Sequence, residues 1–448
     1  MPKKKTALTI EERLQQALVP AEEQPYEVPE NWVWVRLGAI AEIVTGGTPS
    51  KKHPEYYGGN FPFYKPSDLD QGRLTYDASE YLSEEGKNVS RIIPKNSTAV
   101  CCIGSIGKCG YLMCEGTTNQ QINSAIPKIN SLCLYYYLCT ENFVQDLLSM
   151  ASATTIAIVN KSKMESCAFP LPPLSEQQRI VERIEELLAK LDEAKERLQE
   201  VADSFAVRKA AILHNAFTGE LTKQWRRENG VSDESWEESN FGKFTVSQYG
   251  YTEKAHWEKV GPKFLRITDI QDNKVDWDEV PWCPIDEAGM KQYAVQIGDI
   301  MIARTGATTG KSYLICDDVE AVFASFLIRL KVVDKNLDYN YLYGYMQSED
   351  YWRQITDFSS GIAQPGVSAN KLKQIKFKCP SLPEQHEIVR LIDDLLARER
   401  AAQQVAEQAL ASIDLMKKSI LARAFRGELG TNKASEASAL ELLRQVLS

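Results

Sequence analysis

The sequence LSEQQRIVERIEELLAK at residues 174–190 returns as LPEQHEIVRLIDDLLAR at residues 382–398. The two stretches lie 208 positions apart (382 minus 174), and this offset holds without a gap between residues 170–221 and residues 378–429. In that window 20 of 52 aligned positions are identical, whereas unrelated sequences of ordinary composition match at about one position in sixteen. The chain therefore contains an internal duplication.

Both repeated stretches have the heptad spacing of a helix that packs along another helix, with apolar residues in alternating steps of four and three. About 42 residues at 1.5 Å each give a helix of roughly 60 Å. The narrow stripe favours an antiparallel coiled coil over the alternative in which each helix packs on its own domain. The predicted helix-pair interface consists of Ile180, Ile184, Leu187, Leu191, Leu198 and Phe205 in the first helix and Ile388, Ile392, Leu395, Ala402, Ala406 and Ile413 in the second.

The regions that precede the two helices have the pattern of strands and turns, because short apolar runs alternate with Gly, Asn, Asp and Pro. We predict an α+β fold: two mixed, strand-rich globular domains separated by two long helices that form an antiparallel coiled coil, with a pseudo-twofold internal repeat. The predicted boundaries are an N-terminal segment 1–30, a first globular domain 31–172, a central helix 173–222, a second globular domain 223–380, a C-terminal helix 381–429 and a tail helix 430–448.

Composition indicates an ordinary soluble protein of 448 residues, 43% hydrophobic and 25% charged. The net charge of −9 argues against a polyanion partner when taken alone, since phosphate neutralisation supplies most nonspecific DNA affinity. The two globular regions are nevertheless almost neutral, with 12 basic and 12 acidic residues in 31–170 and 17 and 18 in 240–380. No run of about 18 apolar residues is present, so we expect a cytoplasmic protein with no membrane partner.

The sequence offers no catalytic or metal-binding constellation. The segment from Thr305 to Lys311 resembles a phosphate-binding loop, but only three residues separate Gly306 from Gly310, where that loop requires four. No Asn-Pro-Pro or Asp-Pro-Pro segment of an amino-methyltransferase is present, and the four histidines lie far apart. The ten cysteines form no C-x-x-C pair, which disfavours both a zinc site and a disulfide framework.

A binding function remains, because two diverged domains of common origin suit a DNA target whose two halves differ. Lysine and arginine can contact phosphates or guanine, and asparagine or glutamine can bond adenine bidentately. The candidate DNA-binding residues are Lys51, Lys52, Lys65, Arg91, Lys108, Asn119, Gln120, Gln121, Lys161 and Lys163 in the first domain and Lys259, Lys263, Arg266, Arg304, Lys311, Gln364, Lys371 and Lys373 in the second.

The chain resembles the specificity subunits of type I restriction-modification systems. The resemblance lies in PPLSEQQRIV at residues 172–181 and its echo LPEQHEIV at 382–389, in the two Ala-Phe-x-Gly-Glu-Leu endings, in YEVPENWVWVRLG at 26–38, and in GSIGK at 104–108 with NQQIN at 119–123. The segment WEESNFG at 236–242 departs from this pattern, since it matches WVRLG at 34–38 poorly when Trp236 is set against Trp34.

The resemblance implies that each globular domain is a target-recognition domain that reads one half of a bipartite, asymmetric double-stranded DNA site. The helices would set the spacer and dock two modification (methyltransferase) subunits, which methylate adenine N6, and two restriction subunits could join them. It further implies no cofactor in this chain: S-adenosylmethionine would belong to the modification subunits, and ATP and Mg to the restriction subunits.

Two alternatives stay open at this point. The chain could be an enzyme with an unrecognised nuclease or methyltransferase centre, which would show activity dependent on magnesium or S-adenosylmethionine without partners. It could also be a structural coiled-coil adaptor without DNA specificity, in which case exchange of the globular domains would leave methylation patterns unchanged.

Overall fold

A computed structural model describes residues 8–71, 74–152, 157–271, 273–359 and 366–448. The chain divides into two compact units. Unit 1 consists of residues 1–198 together with 408–448, and unit 2 of residues 199–407. Each repeated helix therefore contributes one part to unit 1 and its other part to unit 2.

The helices include both repeated stretches and several short segments in the globular regions. In chain order they are α1 Ile10–Ala17, α2 Leu37–Ile40, α3 Glu84–Asn88, α4 Ser131–Leu138, α5 Glu141–Met150, α6 Lys161–Ser166, α7 Leu174–Asp203, α8 Phe205–Thr218, α9 Lys223–Glu228, α10 Phe241–Phe244, α11 Glu287–Tyr293, α12 Tyr339–Tyr345, α13 Glu349–Ser359, α14 Ala369–Leu372, α15 Leu382–Ala424 and α16 Ala439–Leu447.

The strands are short and lie in the regions that precede the long helices. They are β1 Val33–Arg36, β2 Ala41–Thr45, β3 Tyr57–Tyr64, β4 Leu74–Thr75, β5 Glu80–Leu82, β6 Thr98–Cys101, β7 Cys109–Leu112, β8 Thr117–Thr118, β9 Ile122–Pro127, β10 Ala168–Leu171, β11 Glu237–Asn240, β12 Thr245–Tyr249, β13 Lys263–Leu265, β14 Ile270–Gln271, β15 Lys274–Val275, β16 Ile300–Ala303, β17 Ser312–Leu314, β18 Ala321–Phe323, β19 Leu327–Val332 and β20 Lys376–Cys379.

The main sheets of the two units follow one plan. In unit 1 the strand order is β2-β9-β6-β7-β4, and the first three pairings are antiparallel. In unit 2 the order is β12-β19-β16-β17, again antiparallel throughout. A parallel pair also recurs, β3 with β8 and β13 with β18. The predicted α+β fold with an internal repeat is thus confirmed.

The entrance to the second globular region has the same structure as the first despite its divergent sequence. Strand β11 pairs antiparallel with β20, as β1 does with β10. The sequence comparison that set Trp236 against Trp34 was wrong, because Trp236 takes the role of Trp32 in the buried contacts described below. The indole of Trp34 instead donates to the carbonyl of Tyr26 at 3.2 Å.

The predicted antiparallel pairing of the long helices is present in each unit. In unit 1 the ammonium group of Lys417 in α15 lies 2.6 Å from a carboxylate oxygen of Asp192 in α7. In unit 2 the guanidinium of Arg208 in α8 lies 2.5 Å from the carboxylate of Glu399 in α15. Within unit 2, Phe217 and Ile392 also lie together beside Gly344, so residue numbers rise along α8 as they fall along α15.

The predicted seam residues lie in three environments. Ile180 and Ile184 are buried in the core of unit 1, and Ile388 and Ile392 in the core of unit 2. Ala406 and Ile413 are also buried, whereas the others except Ala402 are half-buried: Leu187, Leu191, Leu198, Phe205 and Leu395. The first turns of each helix thus pack on a globular core, and the last turns do so as well, since Ala424 of α15 belongs to the core of unit 1 and Leu213 and Ala216 of α8 belong to the core of unit 2.

Two details of the helices differ from the prediction. Ala402 is exposed and its neighbour Gln403 is half-buried instead, because a straight helix drifts by about 20° per heptad. The first repeated helix is also interrupted at Ser204, between α7 and α8. Backbone hydrogen bonds continue across the interruption, since Ser204 donates to Glu200 and accepts from Arg208, both at 3.0 Å.

A buried glutamate joins each long helix to the strand that opens its unit. In unit 1 the Glu176 carboxylate accepts hydrogen bonds from the Trp32 indole at 2.7 Å, the Thr431 hydroxyl at 3.1 Å and the Asn432 amide at 2.9 Å. Hydrogen bonds to a charged acceptor are worth about 1.5–3 kcal/mol each. The segment that follows α15 is thereby held against the start of α7.

Unit 2 repeats this arrangement with one added charge. The Glu384 carboxylate accepts from the Trp236 indole at 3.0 Å and from the Thr222 hydroxyl at 2.7 Å. The Arg226 guanidinium also donates to it, at 2.8 Å. The arginine side chain is 6% exposed and the glutamate side chain is fully buried, so this is a buried ion pair.

The glutamine next to each glutamate satisfies backbone groups of the globular region. Gln177 accepts from the Asn130 N–H at 3.0 Å and donates to the Pro172 carbonyl at 2.9 Å. Gln385 makes the same two bonds, each 2.8 Å long, to the backbone groups 208 positions further along the chain. The Glu-Gln pair of the repeat is therefore a structural feature of both units.

Aromatic rings complete both cores at equivalent positions. The Tyr137 ring lies 5.1 Å from that of Phe425, and its hydroxyl donates to the Ala168 carbonyl at 2.8 Å. The Tyr345 ring lies 5.5 Å from that of Phe217. Phe217, in the Ala-Phe-x-Gly-Glu-Leu ending of the first repeated helix, thus packs on the core of unit 2. Phe425, in the ending of the second repeated helix, packs in the core of unit 1.

Candidate nucleic-acid interface

Four strand ends meet at one edge of the main sheet in unit 1. Thr45 at the end of β2 pairs with Asn123 at the start of β9, and Cys101 at the end of β6 pairs with Ile122. The start of β7, at Cys109, lies beside them. The loops 46–56, 102–108 and 119–121 therefore converge on this edge, which we call the loop edge of unit 1.

The loop edge of unit 1 presents amide side chains held in fixed orientations. The Thr48 hydroxyl donates to the side-chain oxygen of Gln120 at 2.5 Å, and Gln120 itself is exposed. The Asn119 amide donates to the side-chain oxygen of Gln121 at 2.9 Å and accepts from its backbone N–H at 3.1 Å. Oriented amides carry both donors and acceptors, which is the chemistry that reads an adenine edge.

A glycine permits the close approach of two loops at this edge. A Cβ atom at Gly46 would lie 2.2 Å from the Asn119 carbonyl oxygen and 2.3 Å from that of Thr118. The backbone N–H of Gly47 donates to the Thr118 carbonyl at 2.8 Å. Only glycine fits at residue 46, and the 119–121 loop is fixed in place by this contact.

The equivalent edge of unit 2 carries different chemistry. Tyr249 ends β12, Ala303 ends β16 and Leu327 begins β19, and all three lie at one edge. The Arg304 guanidinium, one residue beyond β16, stacks 4.9 Å above the Tyr249 ring. This loop edge of unit 2 therefore offers an arginine on an aromatic face, where the loop edge of unit 1 offers amides.

Exposed aromatic side chains lie on or near this edge. Phe326, directly before β19, is 59% exposed, and Tyr249 is 41% exposed. Trp257, in the loop that follows β12, is 67% exposed and lies 5.6 Å from the Arg266 guanidinium. Sequence analysis missed these three residues, because no pattern separates an exposed aromatic residue in a loop from a buried one.

Several of the predicted DNA-binding residues have partners within their own unit. Carboxylates pair with Lys65 (Glu80, 2.7 Å), Lys108 (Asp70, 2.5 Å), Lys161 (Glu165, 3.6 Å) and Arg266 (Asp269, 2.6 Å). Backbone carbonyls accept from Arg91 (Thr45, 2.5 Å), Lys163 (Met150, 2.7 Å), Lys263 (Val280, 2.8 Å), Arg304 (Ser325, 3.3 Å) and Lys371 (Phe358, 2.6 Å).

The remaining predicted cations are exposed. Lys51, Lys52, Lys259, Lys311 and Lys373 have no carboxylate or carbonyl partner for the side chain within the described residues. Gln364 lies outside the described residues. These five lysines are the predicted cations whose charge is available to a phosphate without the loss of an existing contact.

Lys163 and Lys371 occupy equivalent positions and have the same structural contact. Each ammonium group donates to a carbonyl near the end of the preceding helix, at 2.7 and 2.6 Å. Each also lies in a short helix, α6 or α14, whose first turn is capped by Asn160 or Ser368. These contacts favour a role in holding the helices together over direct DNA contact.

The segment that resembles a phosphate-binding loop lacks the structure that such a loop requires. A phosphate-binding loop leads into a helix, whose N-terminal N–H groups face the anion. Here Gly306–Thr308 form a single helical turn and strand β17 follows at Ser312. The residues therefore belong to a strand connection at the loop edge of unit 2.

The described residues offer no metal centre, and burial disfavours the thiolate form of two cysteines. No three His, Cys, Asp or Glu side chains in the described ranges lie together so that they could hold a metal ion. Burial raises the pKa of Cys102 and of Cys283 to about 11, which keeps both thiols protonated at neutral pH. In addition, no helix in the described parts of the chain is long and apolar enough to span a lipid bilayer.

Comparison with known proteins agrees with the duplicated architecture. A family model described as "Type I restriction modification DNA specificity domain" matches the chain twice, at residues 29–203 and 235–408. The EcoBI specificity subunit of Escherichia coli is 26% identical over 430 residues, which cover 90% of this chain and 87% of that protein. The EcoKI specificity subunit of E. coli K12 is 24% identical, with 90% of each chain covered.

Solved structures show the same fold. The HsdS subunit from Thermoanaerobacter tengcongensis superposes with a TM-score of 0.67 at 18% identity, over 91% of this chain and 99% of that one. A chain from a structure of a type I R-M system gives a TM-score of 0.66 at 18% identity, over 90% and 100% of the two chains.

Proposed function

This chain belongs to the family of type I restriction modification DNA specificity domains, and from this premise we propose that it selects the DNA target of a type I restriction-modification complex. Each unit reads one half of a bipartite, asymmetric site, and the chain itself catalyses no reaction. The single observation that carries the proposal is the contrast between buried contacts that recur in both units and loop edges that differ.

The contrast separates the residues that hold the fold together from the residues that would contact DNA bases. The Glu-Gln pairs and core aromatics make equivalent contacts in the two units. At the loop edge of unit 1, the side chains of Gln120 and Gln121 present amides. At the loop edge of unit 2, the Arg304 guanidinium lies over the Tyr249 ring instead. Amides suit adenine and arginine suits guanine, so the two edges favour different base pairs.

We further propose that the partners supply the chemistry. The relatives are named as specificity subunits of type I restriction enzymes, which means that other subunits complete those enzymes. Two modification subunits dock on the paired helices and hold S-adenosylmethionine for methylation of adenine N6. Restriction subunits, where present, hold ATP and Mg. An acidic chain is compatible with this arrangement, because partners that surround the duplex can neutralise its phosphates.

Half-site mapping tests the assignment of the two loop edges. The chain is expressed with its modification subunits, and single-molecule sequencing of genomic methylation gives the recognised site. Gln120→Ala and Gln121→Ala should relax one half of the site and leave the other intact, whereas Arg304→Ala should relax the other half only. Each lost base contact should cost about 1–3 kcal/mol of discrimination.

Matched controls are Gln445→Ala and Arg353→Ala, which remove exposed side chains away from the loop edges. An unchanged site in all three edge variants would contradict the proposal and would support a coiled-coil adaptor without DNA specificity. Methylation by the purified chain alone would support an enzyme instead.

A second experiment tests whether the helices set the spacer. Residues 193–199 of the first repeated helix and 409–415 of the second are one heptad each. Deletion of both heptads shortens the helix pair by roughly 10 Å, the length of about three base pairs. The spacer between the half-sites should shorten accordingly, and half-sites mapped at their original separation would contradict this role.

A further inference from the structure

Unit 2 contains a cavity of about 920 Å³ that the DNA-reading edge does not use. It lies between α8, α12 and α15, with the hairpin β14–β15 at its rim. Leu213, Ile392 and Leu396 form an apolar floor, and all three are buried. Apolar pockets of this kind accept aromatic rings, because the ring replaces missing contacts without breaking hydrogen bonds.

The internal repeat shows what can occupy part of this space. Helices α4 and α12 are equivalent, and Gly344 in α12 corresponds to Tyr136 in α4 by the offset of 208. The Tyr136 ring is buried, 2% exposed, and its hydroxyl lies 3.3 Å from the carboxylate of Glu185. The residue that corresponds to Glu185 is Asp393, which lines the cavity beside Gly344. Unit 1 thus holds a phenol where unit 2 has a glycine in the wall of the cavity.

The charged residues around the cavity add a second requirement. Lys209, Lys274 and Arg400 line it together with the single carboxylate of Asp393. Partial desolvation raises the pKa of the Asp393 carboxyl, and Arg400 opposes this shift. A ligand that donates a hydrogen bond to Asp393 and carries a negative group toward the cations would satisfy both.

We propose that this cavity is a binding site for a 4-hydroxyphenyl ligand that carries a carboxylate. The phenol ring lies on the floor beside Gly344 in the place that Tyr136 fills in unit 1, and its hydroxyl donates to Asp393. The carboxylate of the ligand pairs with the cations at the rim. Unit 1 has no such site at the equivalent position, because its own tyrosine occupies it.

Ligand-observed NMR and calorimetry on the full chain test the proposal with three related probes. 4-Hydroxyphenylacetate should bind with a stoichiometry of one. Phenylacetate lacks the hydroxyl donor, and tyramine lacks the carboxylate, so each should bind at least tenfold more weakly. Equal binding of all three probes, or no binding of 4-hydroxyphenylacetate at millimolar concentration, would overturn the proposal.

Variants at the two equivalent positions locate the site. Gly344→Tyr should abolish binding of 4-hydroxyphenylacetate; a Cβ at this position meets only the Phe217 ring, 3.3 Å away, and the Ile392 methyl group at 3.9 Å. Asp393→Asn should weaken the preference for the hydroxyl, because an amide oxygen is a weaker acceptor than a carboxylate, and should leave phenylacetate binding unchanged. The matched control is Asp394→Asn, one residue further along α15 and outside the cavity lining. Loss of binding in the control variant alone would overturn the assignment.

Tyr136→Gly provides a gain-of-site test that does not depend on the folding of the Gly344 variant. It should raise the stoichiometry from one to two, and 4-hydroxyphenylacetate should raise the melting temperature of this variant more than that of the parent. A stoichiometry that stays at one would contradict the equivalence of the two positions. An acidic peptide that contains tyrosine serves as a fourth probe. If it binds more tightly than 4-hydroxyphenylacetate, the natural source of the phenol is a protein side chain.

Discussion

Glu176 and Glu384 occupy the same place in the two units, yet they are charge-compensated differently. Both accept a hydrogen bond from a tryptophan indole and from a threonine hydroxyl. In unit 1 the third donor is the neutral amide of Asn432, whereas in unit 2 it is the guanidinium of Arg226. The fold therefore requires a buried carboxylate with three donors, and the charge of the third donor has been free to change.

Removal of the third donor should therefore destabilise unit 2 more than unit 1. A buried carboxylate that loses its cation remains as an uncompensated charge, whereas one that loses an amide loses a single hydrogen bond.

Arg226→Met should destabilise unit 2 by about 3–5 kcal/mol, because Glu384 is fully buried and keeps only neutral donors. Amide hydrogen exchange on the full chain should show faster exchange in peptides of unit 2 and unchanged exchange in unit 1. Arg227→Met is the matched control, since the Arg227 side chain is exposed. A loss of less than 1 kcal/mol would mean that the charge contributes little and that the two sites are equivalent in energy.

Gln177→Ala should destabilise unit 1 by about 2–3 kcal/mol, since it leaves the Asn130 N–H and the Pro172 carbonyl without a partner. Gln385→Ala should cost unit 2 about 1 kcal/mol more, because Gln385 makes the two equivalent bonds and also donates to the Asn336 carbonyl at 2.9 Å. Urea unfolding followed by hydrogen exchange would measure both. The exposed Gln178 gives the control variant Gln178→Ala, and a larger loss in Gln177→Ala than in Gln385→Ala would contradict the prediction.

Asn432→Ala should cost unit 1 only about 1 kcal/mol, the value of one hydrogen bond, because Trp32 and Thr431 still donate to Glu176. Thermal unfolding monitored by circular dichroism can resolve this change. Lys433→Ala, at the exposed next position, serves as the control. An effect as large as that of Arg226→Met would remove the distinction between the two sites.

The smallest predicted difference concerns the two exposed thiols, Cys114 in unit 1 and Cys316 in unit 2. Partial burial and the nearby Asp317 carboxylate raise the pKa of Cys316. A raised pKa lowers the thiolate fraction near neutral pH, so Asp317→Asn should speed iodoacetamide labelling of Cys316 at pH 7 and leave the rate at Cys114 unchanged. Mass spectrometry gives both rates, and the rate at Cys316 should rise with pH; an unchanged rate at Cys316 in the variant would contradict the assignment.

The repeat and its heptads made the architecture predictable, because helix pairing depends on apolar spacing that sequence displays directly. Asn119 to Gln121 and Lys108, which the sequence suggested as DNA-binding residues, lie in loops at the loop edge of unit 1. Their role in DNA binding stays a prediction.

Sequence could not show which cations already have partners. Lys65 and Arg266 pair with carboxylates that lie 15 and three positions along the chain (80 minus 65, 269 minus 266), and only folding fixes such contacts. The role of Trp32 was missed for the same reason, since its acceptor Glu176 is 144 residues away. Nor did sequence reveal the cavity, because a single glycine at position 344 creates part of it.

The discontinuous chain of unit 1 has a consequence for synthesis on the ribosome. Unit 2 is one continuous segment, residues 199–407, and can fold as soon as that segment has emerged. Unit 1 needs residues 408–448, since Thr431 must reach Glu176 across 255 positions. Residues up to 198 therefore wait with an unfilled core until residues 408–448 have been made. The half made first is completed last, and this interval is when the nascent chain is most exposed to proteolysis and to association through its uncovered apolar surface.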